Sequence, residues 1–484
     1  MIQDKKYYQD IFRVDDKLLE SLIAEALGNG GDFADLYFEN TTCSDLLLRD
    51  GEVNSGGFNI DYGVGIRVLK GEKTGYAYSE STDRASMRGA AKAAALIADC
   101  DSTASVRMGD EDGPSRAKYC GKPNPAADRY PMFNDWRTYE TSCLVPFLDR
   151  IDKGIHLKDS RVSKVIAMLS SQVSDILMFN SLGELKYETR PLGSVSISVV
   201  FEQDGRIENK SVSKSFRSGV EMLTGALEEE LIEKAVTGID ERFAARRPKG
   251  GKMPVVMGAG ASGILLHEAM GHAFEADFNR KNQSIFSDKM GMRVCPKGIS
   301  VIDDGTIRGN RGALNFDDEG IPGQRTYMVE DGILTSYLHD RISAKAYDTR
   351  PTGNGRRESF RYNPIPRMRA TYMEGGDASR DDIIASVSKG IYVDQFSNGQ
   401  VKIGEGDFTF YVKSGFLIEN GRLTMPVKDI NIIGNGPQAL ADIVAVGNDP
   451  TIDDGTWTCG KEQSVPVSCG MPTVLVKQLT VGGE

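Results

Sequence analysis

The 484-residue chain has few of the residues that build covalent scaffolds or cation-rich surfaces. It holds seven cysteines, Cys43, Cys100, Cys120, Cys143, Cys295, Cys459 and Cys469, an odd number without a CxxC pair. That argues against a disulfide framework and for a reducing compartment, the cytoplasm. Lys and Arg number 58 against 69 Asp and Glu, a net charge of −11. This is the wrong sign for a protein that tracks nucleic-acid phosphates. No apolar run reaches the ~20 residues of a membrane-spanning helix, and the opening MIQDKKYYQDIFRVDDK lacks an apolar signal segment. Neither nucleic acid nor membrane is therefore expected as a partner. Histidine is scarce as well, with four in the chain: His156, His267, His272 and His339.

The remaining composition, 40% hydrophobic and 26% charged, is ordinary for a globular protein. The length exceeds one core, and three units are expected, 1–108, 109–247 and 248–484. In the first, Leu18, Leu19, Leu22, Ile23, Ala26 and Leu27 recur at helical spacing from Asp15, and GNGG stops them. Strands are expected in ADLYFE from Ala34, SDLLLRD from Ser44, VGIRVL from Val64 and TGYAYS from Thr74. Asp50-Gly51 and KGEK supply turns between them, and an Ala-rich helix runs from Thr82-Asp83 to about residue 98. The polar, Gly- and Pro-bearing stretch 109–131 reads as a linker. A helix over 139–153, long alternating strands and a helix over 226–245 follow, ending at RRPKGGK. SDILMFNSLGELKYE loosely echoes SDLLLRDGEVNSGGF, an echo that shared hairpin grammar explains as well as duplication does. From residue 294 the pattern is short strands and Gly-rich turns, broken by a helix over 437–446 with Pro437 in its first turn and Gly447 past its end.

The densest chemistry lies in GASGILLHEAMGHAFEAD, Gly260 to Asp277, which holds His267 and His272 with Glu268 directly after the first. Residues five apart on an ideal α-helix point ~140° from each other, whereas four apart differ by ~40°. Two imidazoles at this spacing meet one ion only if the helix carries a π-bulge, which Gly271 would ease. Otherwise Glu268 and His272 form the co-facial pair. The bland alternative is a helix whose histidines only pack. Catalytic zinc takes three protein ligands and keeps one position for water, and beyond this helix the soft donors are Cys295, Cys459, Cys469 and His339. The same segment offers GAGASG, Gly258 to Gly263, close to a dinucleotide-binding fingerprint. That fingerprint needs a returning parallel strand, and FNRKNQSIFSDKMGMRVCPKG is polar and irregular there, so the glycines read as a tight strand-to-helix turn. The fold class expected is α+β: N-terminal α/β units with mostly antiparallel sheets, then a β-rich C-terminal domain carrying the metal-binding helix.

GILLHEAMGHAFEAD from Gly263 stands with DDEGIPGQ from Asp317, PTGNGRRES from Pro351, PRMRATYM from Pro366, CGKEQSVPV from Cys459 and GVGIRVLKGEKTGYAYS from Gly63. On these motifs, spread over about residues 31–483, the chain resembles the TldD/PmbA family of metalloproteases, on its TldD branch. The family pattern is H-E-x-x-x-H. The resemblance implies zinc held by His267, His272 and Cys459, with Glu268 as the catalytic acid/base that activates the zinc-bound water. It implies a peptidase acting on peptides or unstructured protein segments, paired with a PmbA-like (TldE-like) subunit or with a second copy of itself. The rival reading is a non-hydrolytic partner or modulator subunit with a structural metal. PTGNGRRES fits a loop gripping substrate through Arg356 or Arg357, and equally a structural turn whose arginines pair with acids. The acids of NFDDEG read as solvated or salt-bridged. Cys43, Cys100, Cys120 and Cys143 read as buried thiols, and His156 and His339 as structural or surface residues.

Overall fold

The computed structural model describes residues 3–98, 129–130, 132–402 and 404–483; the stretch 109–131 falls outside them except for 129–130. Two three-stranded meanders come first: β1 (Phe33–Arg49), β2 (Glu52–Lys70) and β3 (Lys73–Ser79), then β4 (Val162–Asn180), β5 (Leu185–Gln203) and β6 (Arg206–Phe216). β1 and β4 pair antiparallel, so the meanders merge into one sheet of order β3-β2-β1-β4-β5-β6. The two echoing segments fall at equivalent places, the β1–β2 and β4–β5 hairpins, and the turns use residues of positive φ at Asp50, Gly51 and Gly183.

ADLYFE and SDLLLRD are not separate strands but parts of the single 17-residue β1. The link between them is held extended on both sides, with Thr41 opposite Asp61 of β2 and Ser174 of β4. Helices cover one face of the sheet. Asp16–Ala26 starts where the Asp15 carboxylate accepts from Leu18 N–H (2.8 Å), and Arg84–Ala95 is capped in the same way by Asp83. Their apolar faces pack with Phe38, Val64 and Ile66 in one cluster, and helices Val145–Lys158 and Gly225–Val236 pack over β4–β6 in another.

Three helices differ from expectation. The helix sought over 139–153 begins only at Val145, with a proline in its first turn. The one over 226–245 breaks into Gly225–Val236 and Ile239–Ala244 at Gly238, whose φ is 78°. The one over 437–446 is confined to Gly436–Ala441, because the β-branched run Ile443–Val446 pairs with Val474–Gly482 instead.

The C-terminal part is β-rich. β7 (Gly251–Met257) lies parallel to Lys389–Val401 and antiparallel to Val474–Gly482. The ring continues through Ile430–Asn435 and Asp407–Glu419 and returns to Lys389–Val401, closing a barrel. A second sheet contains Val301–Asp304, Ala370–Met373, Ser468–Met471 and Thr451–Asp453. The core between them includes Ile264, Leu265, Leu266 and Met270 of the histidine-bearing helix. Buried charges fasten the N-terminal sheet to this part. Arg67 on β2 donates to Asp35 on β1 (2.8 Å from Nε) and to Glu319 (2.6 Å), and Arg190 on β5 donates to Asp318. Asp318 and Glu319 of DDEG are thus salt-bridged across the interface, whereas Asp317 accepts the backbone N–H groups of Glu319, Ile321 and Gly355.

Candidate metal centre

β7 reaches the site through Gly258–Gly263. The Gly258 N–H donates to Val393 O (2.8 Å) and the Gly260 N–H to Met471 O (2.9 Å). Gly260 sits at φ 87°, a region glycine enters without strain. A Cβ on Gly263 would stand 2.3 Å from Gly470 N, so this glycine lets the helix begin directly against the strand Ser468–Met471. The parallel neighbour of β7 is Lys389–Val401, far downstream, so GAGASG is a tight turn and not the start of a dinucleotide-binding unit.

The helix is α-helical over Ile264–Leu266, widens to a π-turn over His267–Gly271, and tightens to a 3-10 turn over His272–Phe274. The widened turn brings i and i+5 onto one face. The rings of His267 and His272 accordingly meet with centroids 5.2 Å apart and planes at 80°. A methyl at position 271 would lie 2.0 Å from Met368 Sδ, so Gly271 keeps the widened turn close to its neighbour.

Cys459 arrives on the hairpin Thr458–Lys461/Gln463–Pro466. Ring nitrogens of His267 and His272 and the Cys459 Sγ lie within 4.8 Å of one another, all three residues buried. The sulfur is 3.3 Å from His272 Nε2. Among the described residues this is the one cluster of three or more His, Cys, Asp or Glu donors placed to share an ion.

Burial opposes ionisation of Cys459, but the two neighbouring imidazole side chains, His267 foremost and then His272, outweigh it and draw the thiol down to about 4. The thiolate is the form that binds metals. Neither ring nitrogen of His267 has a hydrogen-bond partner although the side chain is buried. Such an orphan costs about 1–3 kcal/mol, a cost that donating a lone pair to a cation relieves. Zinc with nitrogen at ~2.0 Å and sulfur at ~2.3 Å sets a tetrahedral sulfur–nitrogen pair roughly 3.5 Å apart, close to the observed 3.3 Å. The residues present therefore suit a zinc-type ion with a position to spare.

The sequence matches the PmbA/TldA metallopeptidase domain 1 over residues 34–98, the central domain over 135–245 and the C-terminal domain over 250–483. It is 40% identical to the metalloprotease TldD homolog of Haemophilus influenzae over 458 residues, 93% of each chain. The chain belongs to the TldD/PmbA metallopeptidase family. The zinc metalloprotease TldD homolog of Saccharolobus solfataricus is 34% identical over 238 residues, 49% of this chain and 53% of that protein. The crystal structure of TldE from Thermococcus kodakarensis shares the fold, with a TM-score of 0.71 at 19% identity over 96% of this chain and 100% of that one.

In this member of the family, Glu268 is half-buried on the turn between the two histidines. The other soft donors stand apart from the cluster. Burial pushes the Cys295 thiol up to about 12 and His339 down to about 4, and burial with nearby Asp453 and Glu268 holds Cys469 protonated. His156 is exposed. Cys143 is exposed too and Cys43 half-buried, contrary to their reading as buried thiols, while Cys100 and Cys120 lie outside the described residues.

Arg356 and Arg357 are both buried, which decides between the two readings of PTGNGRRES. Arg356 donates to Met368 O (2.6 Å) and Pro466 O (2.8 Å). Arg357 donates to Asp318 O (2.9 Å) and lies 4.2 Å over the Tyr37 ring. Arg356 holds backbone, and Arg357 holds backbone and pairs with Asp35 (3.7 Å), so the structural reading fits, with an acid partner for Arg357 alone.

Sequence reasoning missed the residues behind the three candidate donors. Glu275, fully buried, places Oε2 2.9 Å from His272 Nδ1 and 3.0 Å from Lys461 Nζ. Lys461 also donates to Asp277 (2.8 Å) and Pro366 O (3.2 Å), which uses all three ammonium protons. Burial works against the Glu275 carboxylate, yet Lys461 and His272 hold it down at about 2. Burial likewise works against the Lys461 ammonium, and the two carboxylates more than offset it. Arg367 donates to Cys459 O (2.7 Å) and Gln463 O (2.8 Å). The spacing of Glu275 three residues after His272 was the available signal; nothing in sequence spacing pointed to Lys461.

Proposed function

We propose that the chain is a zinc-dependent peptidase that hydrolyses peptide bonds in peptides or unstructured protein segments. In this reading His267, His272 and Cys459 are the metal ligands and Glu268 is the acid/base. The observation that carries it is the π-turn, which faces two imidazoles five residues apart towards a buried thiolate, the three donors lying within 4.8 Å. The zinc metalloprotease relative from Saccharolobus solfataricus supports the choice of ion.

When bound, zinc supplies Lewis acidity, which brings a water close to ionisation near neutral pH and draws electrons from a scissile carbonyl. The chain's own residues do the rest. Glu268, beside His267 and half-buried, takes a proton from the attacking water and returns it to the leaving amine. The buried thiolate and imidazoles shape a site from which bulk water is largely excluded, where such charges act more strongly than in solvent. A non-hydrolytic subunit with a structural metal fits less well, because structural zinc sites close with four protein ligands and only three donors gather here among the described residues. A TldE-like subunit, or a second copy of this chain, completes the assembly in the cytoplasm; the shared fold with TldE supports such a pairing.

The test is metal analysis of the purified protein together with cleavage of an unfolded polypeptide, with and without a TldE-type subunit. Glu268→Gln should retain metal and lose cleavage by ~10²–10⁴-fold. Undiminished cleavage by that variant would overturn the reading.

A further inference from the structure

Glu275 touches both halves of the donor set. Its Oε2 faces Nδ1 of His272, on the helix, and also Nζ of Lys461, which lies two residues after Cys459 on the thiol-bearing strand. The hairpin carrying that strand is two-stranded and pairs with none of the three large sheets, so side chains help to set its position. Arg367 holds the carbonyls of Cys459 and Gln463 on it, and Lys461 reaches from it to Glu275, Asp277 and Pro366 O. Lys461 already has Asp277 as a counter-charge at 2.8 Å. A second buried carboxylate is not needed to neutralise it. What Glu275 adds is a contact to buried Arg367, whose Nε lies 3.9 Å from Oε1, and the contact to the ring.

We propose that Glu275 and Lys461 form a positioning link. The Glu275 carboxylate accepts the Nδ1 proton of His272, and Lys461 ties that same carboxylate to the strand that presents Cys459. The proposal rests on the metal reading above. An imidazole that donates from Nδ1 keeps its lone pair on Nε2, the nitrogen beside the Cys459 sulfur. Without the carboxylate the ring is free to carry its proton on Nε2, a tautomer unable to ligate. Without Lys461 the hairpin loses its direct charged tie to Glu275, and only Arg367, which meets Glu275 and two hairpin carbonyls, still bridges them. One buried contact pair therefore chooses the tautomer and sets the spacing between a nitrogen donor and a sulfur donor brought from 187 residues away.

The experiment measures zinc affinity of the full chain by competition with a chromophoric chelator, and records the thiolate charge-transfer band after cobalt substitution. Glu275→Gln should bind zinc ~10–100-fold more weakly, the range seen when a carboxylate behind a metal-bound histidine is lost. Lys461→Met should also weaken binding. The double variant should lose no more than the weaker-binding single, because both residues act through one link. Melting of the metal-free proteins reports folding separately. If Glu275→Gln does not fold, Glu275→Asp keeps the charge for Lys461 and draws the carboxylate one methylene back from the ring; it should show a loss in the same range. Wild-type zinc affinity in the Glu275 variant, or losses that multiply in the double variant, would overturn the link. A wild-type protein with no zinc affinity and no cobalt–thiolate band would instead overturn the metal reading on which the link rests.

Discussion

A single methyl group added at Gly263 should loosen the metal centre without touching a donor. The Cβ of Gly263→Ala would stand 2.3, 2.5 and 2.6 Å from the N, Cα and C atoms of Gly470. Ordinary contact begins at 3.4 Å, so the two backbones must part by about 1 Å. The strand Ser468–Met471 is pinned between Ala370–Met373 and Thr451–Asp453, so the helix is the element that yields. His267 follows four residues later, and functional constellations tolerate only ~0.5 Å of displacement. Overpacking of this kind costs ~1–3 kcal/mol, and a loss of ~1.4 kcal/mol in binding is tenfold in affinity. Zinc affinity measured by chelator competition should therefore fall about tenfold, and the urea midpoint should drop with an unchanged slope. Gly89→Ala is the control. It lies exposed on the helix Arg84–Ala95 with nothing within 4 Å of its added Cβ, and alanine there should raise stability by up to ~1 kcal/mol. Wild-type affinity and midpoint in Gly263→Ala would refute the argument that this close approach sets the site.

Arg67→Met would strand two buried carboxylates, Asp35 and Glu319, at the junction of the N-terminal sheet and the C-terminal part. Urea unfolding should show a loss of ~3–5 kcal/mol. Glu39 is buried, and burial raises its carboxyl to about 7 against the hydrogen bonds from Thr41 and the Phe360 N–H. A raised carboxyl is penalised when ionised, so this group should cost stability progressively as pH rises from about 4.5 to 7, by ~3 kcal/mol in all. Glu39→Gln should flatten the melting profile between about pH 4.5 and 7. Zinc added at ~100 times its dissociation constant should stabilise the wild-type protein by ~2.7 kcal/mol, and Cys459→Ser should remove most of that gain, both read from thermal melts.

Local chemistry was legible where it was decided locally. Asp50-Gly51 and KGEK could be read as turns because few residues accept the positive φ found at Asp50, Gly51 and Gly71. Asp15 and Asp83 marked helix starts through their capping side chains. The spacing of His267 and His272 demanded a π-turn if the rings were to meet, and the helix has one. What could not be read depends on partners far along the chain. The fusion of two expected strands into β1 comes from pairing along its length with β2 on one side and, on the other, with β4, more than a hundred residues later. The loss of Ile443–Val446 from a helix requires the strand Val474–Gly482. That Cys459, and not Cys295, Cys469 or His339, lies beside the two histidines goes with a hairpin held by Arg367 and Lys461, which no spacing rule anticipates. The buried lodging of Arg356 and Arg357 was likewise invisible, since arginine in a Gly-rich loop reads the same whether it grips ligand or backbone.

The distance along the chain between His272 and Cys459 has a consequence in time. At ~5–20 residues per second of synthesis, the two histidines precede the thiol by roughly 10–40 s. The barrel is delayed as well, because β7 must await both Lys389–Val401 and Val474–Gly482. A growing chain thus carries an incomplete set of donors for most of the period in which the C-terminal part is being made. If the proposed ligand set holds, hydrolysis is withheld from the ribosome's surroundings until Cys459 has been made and its hairpin has folded against the helix.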